Sequence, residues 1–301
     1  MAITLGPNRY GKAEIRMVHV DRTTPSHVLT DLNVSVALSG DLDAAHTVGD
    51  NSAVLPTDTQ KNTVYAFAAE HGVGAIEDFG LRLARHFVTT PSITRAVVTI
   101  EAYPWRRLGP HSFQRDGGES RTARITVADG GEHVISGVTG LVLMNTTDSE
   151  FVGFIKDRYT TLAETTDRIL ATSVTAAWRH APAGPAGDPA EATATPTAPD
   201  ADWNTSYSTA RQALSDAFTG TYSRALQETL FAMGQAVLGT GKGLAEVRLS
   251  LPNRHHFLVD TAPFGLSNEG TVFHADDRPY GLIEATVRDD ELPEAPQAWT
   301  S

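Results

Sequence analysis

The sequence predicts an α+β protein of antiparallel strands and paired helices, and three observations predict it. Apolar and polar residues alternate with the period of half-buried strands over Ala13–Val20, Val28–Leu38, Arg95–Tyr103, Arg121–Val127 and Glu132–Leu143. Helical spacing interrupts that pattern at about Thr59–Glu70 and Ala75–Phe87, where Phe79, Leu81, Leu83 and Phe87 mix with charge. The order then returns: strand-like Thr166–Trp178, helical Thr205–Phe218 and Arg224–Leu238, alternating Glu246–Val259, and a last strand near Tyr280–Val287.

Two stretches make the recurrence concrete. ARHFVTTPSITRAVVTIEAYPW and GQAVLGTGKGLAEVRLSLPNRHH both run from a helix end through a small-residue turn into an alternating strand and then proline. The parallel points to a weak internal duplication, with halves at 1–144 and 145–301. The glycines of GTGKGLAEV follow a helix and precede a strand, the reverse of a phosphate-cradling loop, so they read as a helix stop and turn. Between elements, the stretch 181–202 is almost wholly Ala, Pro, Thr, Gly and acid. Such a composition cannot offset its ordering entropy, and a mobile surface insertion is expected.

Composition narrows the chemistry. A chain of 301 residues with 41% hydrophobic residues can bury a substantial core. Cysteine is absent, which removes disulfides, thiolate nucleophiles, iron–sulfur clusters and cysteine zinc sites together. The eleven histidines show neither HExxH nor HxH spacing, so no metal site is expected. A formal net charge of -12 opposes nucleic acid and anionic membranes. Neither a long apolar run nor a secretion signal is seen, and a cytoplasmic protein is expected.

Several residues could carry chemistry, and each has a plainer reading. In LPTDTQKNT, Thr57 followed by Gln60 has the spacing of a capping box, the reading local chemistry favours, while a ligand contact by Thr57 and Asp58 at the helix start is the alternative. In LPNRHHF, strand periodicity puts Asn253 and His255 on one face and Arg254 and His256 on the other. An amide and an imidazole there could orient water and pass protons, or could satisfy each other. Arg168 in TTDRILA is read as a strand residue whose flat guanidinium suits a planar oxygen-bearing ligand or an ion pair. Gln227 could recognise an amide edge or face solvent, Phe151 could stack on a ring or fill a core, and Lys12 opens the first strand.

Taken in order, YGK, TDTQKNT, FVGFIKDRYTTLAETTDRILAT, a second-half helical glutamine and SLPNRHHF resemble the urate oxidase, or uricase, family over nearly the whole chain. The resemblance implies a tunnelling fold: two similar antiparallel sheet-plus-two-helix halves per subunit, with barrels closed by assembly into a homotetramer whose active sites lie at subunit interfaces. It implies oxidation of urate by O2 and water to 5-hydroxyisourate and hydrogen peroxide, with no cofactor and no metal. It also implies roles. Lys12 and Thr57 would form the proton-abstracting pair, with His255 relaying protons and placing water. Arg168 and Gln227 would grip the pyrimidine edge, Phe151 would stack, and Asn253 would lie beside the oxygen or water site. Asp58 and Leu226 would give backbone N–H groups. The insertion and the absence of a Ser-Lys-Leu type ending depart from the peroxisomal members, and a bacterial cytoplasmic enzyme is expected. The rivals are a pterin-processing enzyme of the same fold and a non-catalytic purine carrier.

Overall fold

The structure, a computed structural model, describes residues 1–181, 202–241 and 243–300. The insertion expected at 181–202 therefore lies almost wholly outside the described residues, apart from its two ends. The chain order is β1 (Tyr10–Asp21), β2 (Val28–Gly40), α1 (Asp43–Thr47), α2 (Thr57–His71), α3 (Ile76–Phe87), β3 (Ile93–Tyr103), β4 (Trp105–Arg107), β5 (Phe113–Arg115), β6 (Ser120–Ala128) and β7 (Gly131–Asn145). There follow β8 (Leu170–His180), α4 (Trp203–Gly220), α5 (Leu226–Leu238), β9 (Leu244–Leu258) and β10 (Phe273–Arg288). The short helix α1 and the small β4–β5 hairpin carry too few residues for a period to show in sequence.

Eight strands form one sheet in the order β1-β2-β3-β6-β7-β8-β9-β10, every neighbouring pair antiparallel. Alternation decides what each face meets. Leu32, Val34, Val36, Ala96, Val98, Ile100, Ala123 and Ile125 point to one side, where Val64, Phe79, Leu83 and Phe87 of α2 and α3 close a first core. Val174, Ala176, Trp178, Val247, Leu249 and Leu251 point the same way and meet Leu214, Phe218, Leu230 and Met233 of α4 and α5 in a second. Strand β7 feeds both, Val134 into the first core and Val138 and Leu141 into the second. Burial on this scale supplies the main driving force, about 25 cal/mol for each Å² of apolar surface removed from water.

The opposite face of the sheet is crossed by the segment 293–300. Arg95 and Arg124 donate to the Thr300 carbonyl, Arg179 Nη2 donates to Pro293 O at 2.8 Å, and the Arg248 guanidinium lies 4.0 Å from the Trp299 ring centre. Guanidinium forks suit this task, because one side chain can hold several carbonyls at once.

Between the two cores a polar network replaces apolar packing. Glu77 of α3 is fully buried; Arg121 Nη2 donates to its Oε2 at 2.6 Å and Ser136 Oγ to its Oε1 at 2.6 Å. Arg121 also donates to Asn204 Oδ1 at 2.7 Å, and Trp203 Nε1 donates to Asp78 Oδ1 at 2.7 Å. The start of α4 is thereby tied to the start of α3. His180, 3.0 Å from Ser136 Oγ, sits edge-on to Trp203, and burial together with the nearby Arg121 charge pushes its pKa down to about 4.

Strands β1 and β7 carry the same irregularity. In β1 an extra residue sits between Lys12 and Ile15, with Glu14 at φ 56; in β7 one sits between Val138 and Leu141, with Gly140 at φ 75. A bulge of this kind reverses side-chain parity beyond it.

Candidate active site

Parity is what aims Lys12. Residues three apart on a regular strand face opposite sides, yet Lys12 pairs with Val36 and Ile15 with Val34, both of which enter the helix-side core. The bulge puts Lys12 on the face that carries α2; without it the amine would point to the far side of the sheet. At the matching place in β7 stands Val138, fully buried and apolar. Only one of the two bulges thus presents an ionisable group.

The capping box expected at Thr57 and Gln60 does not form. Pro56 is the residue before the helix, no side chain caps it, and Thr57 already belongs to the first turn. Gln60 is buried instead, with its Nε2 donating to Leu55 O at 3.2 Å. Proline fixes its own φ and is compatible with a helix entry, which shifts Thr57 one place inward and leaves the first N–H groups of α2 without a side-chain acceptor. The Asp58 carboxylate turns back along its own helix, accepting from Lys61 at 2.5 Å and Asn62 at 3.0 Å, and the Lys61 contact holds its pKa below the usual carboxylate range. Its backbone N–H is left as the group it can offer outward. Helix α5 starts in the same way: Ala225 precedes it, no side chain caps it, Leu226 is buried and Gln227 is exposed. An uncapped start favours an anion through free N–H groups and the helix dipole. Helix α3 also lacks a side-chain cap, so the feature marks no site unaided.

Arg168 corrects a second expectation. It lies two residues before β8 begins at Leu170, not within a strand. Its Nε donates to Ser149 Oγ at 3.1 Å and its backbone N to Ser149 O at 2.9 Å, while its guanidinium lies 5.3 Å from the Phe151 ring centre. No carboxylate pairs with it among the described residues, so the ion-pair alternative fails. Burial without an acid nearby pushes its pKa down from the usual arginine value. Phe151 stacks on Phe154 with ring centres 4.9 Å apart. Sequence reading missed Ser149 and Ser223, two fully buried serines that hold this corner, because a lone serine carries no periodic signal.

On β9, Asn253 pairs with Thr172 of β8, whose face meets the second core, and alternation along the continuous strand puts His255 on that same side, while the pairing of β9 with β10 shifts register between the two residues. The His255 ring packs on Phe257 with centres 5.8 Å apart, and neither Asn253 nor His255 makes a side-chain hydrogen bond among the described residues. Their mutual satisfaction, the plainer reading, is therefore not what the structure contains. Among the described residues no three metal-ligating side chains converge.

The expected site residues thus fall into two groups. Lys12, Thr57 and Asp58 stand at the β1 edge; Phe151, Arg168, Leu226, Gln227, Asn253 and His255 stand toward the β10 edge. From β1 to β9 there are six strand steps, roughly 29 Å at about 4.8 Å each. Within one chain Lys12 and His255 cannot share a proton.

An eight-stranded antiparallel sheet with two helix pairs on one face defines a tunnelling-fold subunit. The comparisons carry this further. The uricase family model matches residues 8–126 and 134–284. A uricase of Arthrobacter globiformis is 45% identical over 289 residues, covering 95% of this chain and 90% of that protein. One of Aspergillus flavus is 36% identical, covering 93% and 95%. The crystal structure of the Arthrobacter globiformis uricase superposes with a TM-score of 0.91 at 44% identity over 99% of both chains. A Bacillus fastidious uricase, at 24% identity and a TM-score of 0.75 over 94% of both chains, shares the fold. The chain belongs to the uricase family, and urate oxidase is the activity that membership carries.

Proposed function

We propose that the chain oxidises urate with O2 and H2O to 5-hydroxyisourate and H2O2, at sites completed by a second copy. The observation that carries this reading is the pair of half-sites on one face: a bulge-aimed lysine beside an uncapped helix start at one sheet edge, and an unpaired arginine beside an aromatic ring at the other. Among the described residues strands β1 and β10 each leave one edge unpaired, and open edges of that length call for a partner. Closure of β1 of one copy on β10 of another would join the groups, and a homotetramer built from such closed pairs is the assembly we propose. The tied junction between β6 and β7, where the starts of α3 and α4 meet over one polar network, is a model for that contact within a single chain.

In the joined site Arg168 and Gln227 grip the polar edge of the flat purine and Phe151 covers its face. The N–H groups of Thr57, Asp58 and Leu226 add fixed positive dipoles, which stabilise an anion more as its charge grows. Lys12 and Thr57 together abstract the proton, the Thr57 hydroxyl lying between urate and the lysine, general base catalysis worth on the order of a hundredfold or more. The resulting electron-rich anion reduces O2, and water placed by Asn253 and His255 then adds while peroxide leaves. One urate, one O2 and one H2O give one 5-hydroxyisourate and one H2O2, so the balance closes with no external reductant. We further propose a division into halves near residue 144 and a bacterial cytoplasmic location; among the described residues no helix is long and apolar enough to cross a membrane.

The test is direct. Purified protein in chelator, without added cofactor, is expected to bleach the ultraviolet band of urate with one O2 consumed per urate. Binding of urate without oxygen uptake, or turnover only after flavin or metal is supplied, refutes the reading.

A further inference from the structure

We infer that Ser149 is a positioning residue for the Arg168 guanidinium, holding it by Nε so that its outer N–H groups meet the substrate. The inference rests on the urate oxidase reading of this site and adds a residue to it. Ser149 grips Arg168 at both ends: its carbonyl accepts from the Arg168 backbone N at 2.9 Å, and its hydroxyl accepts from Nε at 3.1 Å. A long side chain fixed at root and head keeps little rotamer freedom, so little is lost when ligand binds.

The grip works only if Ser149 is itself immobile, and the surroundings make it so. Ser149 bridges Ser223 in parallel, with Glu150 N donating to Ser223 O at 2.9 Å and Ser223 N donating to Asp148 O at 2.9 Å. The Thr229 hydroxyl of α5 donates to Ser223 Oγ at 2.8 Å. Ser149, Ser223 and Thr229 are all 0% exposed, so water cannot compete for these bonds. The chain of contacts runs from the first turn of α5, which carries Gln227, through Ser223 and Ser149 to Arg168. Both groups expected to grip the purine edge are thereby referenced to one buried platform. A guanidinium has five N–H groups, and among the described residues only Nε of Arg168 has a side-chain partner. The Nη groups are left over for a planar acceptor.

The test uses urate kinetics on the assembled enzyme. Ser149→Ala is expected to raise KM for urate about tenfold while kcat stays within about twofold, the pattern of lost ground-state and transition-state binding in equal measure. Arg168→Lys removes the Nε–H, so adding Ser149→Ala to that variant is expected to change KM no further; independent, multiplying effects would overturn the inference. Ser149→Thr, which keeps the hydroxyl, is expected to restore wild-type KM. Should these variants not fold, a crystal structure of the wild-type protein with xanthine decides: Nε still on Ser149 supports the assignment, and xanthine bonded to Nε with Ser149 displaced overturns it. Wild-type protein inert toward urate would fail the functional reading itself, whereas active wild type with an unaltered KM in Ser149→Ala fails only this inference.

Discussion

Two inactive variants, Lys12→Met and Arg168→Met, are expected to restore each other when co-assembled. Lys12 lies on β1 and Arg168 beside the start of β8, five strand steps or roughly 24 Å across the sheet at about 4.8 Å each. Proton transfer needs heavy atoms about 3 Å apart, so a site cannot draw both from one chain. In the two-fold pair proposed above, each site would take its lysine from one copy and its arginine from the other. A mixed pair of the two variants then has one site with both residues lost and one site with both intact. Random mixing makes about half of all pairs mixed, so about a quarter of wild-type sites return, by the symmetry of a two-fold assembly. The assay is urate loss in co-refolded or co-expressed variants against each variant alone, where Lys12→Met is expected to bind urate and turn over at least about a hundredfold more slowly. Recovery near zero in demonstrably mixed assemblies would place the whole site within one chain and refute the reasoning. So would an unchanged turnover number in Lys12→Met alone.

Other outcomes follow from the same physics. Glu77→Ala removes the carboxylate partner of Arg121 at the junction of the cores and is expected to cost about 3–5 kcal/mol, read as an earlier denaturation midpoint at fixed protein concentration. His180 has its pKa lowered to about 4 by burial, against about 6.5 in the unfolded chain. The unfolded state therefore binds the extra proton first, and stability is expected to fall as pH drops from 6.5 toward 4, by at most about 3 kcal/mol, with no effect above that range. Denaturation profiles across pH should show this slope and lose it in His180→Phe. At Glu14, φ is 56, where glycine is unstrained and a β-branched residue is not. Glu14→Gly is expected to keep activity and gain up to about 1 kcal/mol, while Glu14→Val disturbs the bulge and lowers kcat; equal kinetics in both would show that the bulge does not aim Lys12.

Much of this was legible before any coordinates. Alternation in VLTDLNVSVALSG or LAEVRLSL fixes which side chains are inward, because strand parity is a local property that packing then obeys. The two helix pairs, the glycine stop after α5 and the shared face of Asn253 and His255 are local in the same sense. The quoted motifs carried the family. Three things were not legible. The capping box at Thr57 was lost to Pro56, since which residue becomes the cap depends on how the preceding chain enters from the Tyr10–Leu55 contact. Arg168 fell outside the strand because Ser149, nineteen residues earlier, holds it there. The bulge at Glu14 depends on pairing with β2 and leaves no mark in a pattern read one strand at a time.

The sequence by itself determined the α+β class and the inward faces, which follow from residue type and short-range period, and it supplied the candidates for the chemically active side chains through the motifs that carry the family. Only the tertiary structure decided where those side chains stand relative to one another. Strand order is a long-range choice made by sheet pairing, and it sends the lysine and the arginine to opposite ends of one sheet. That separation is the reason we propose that the site is completed by a second copy.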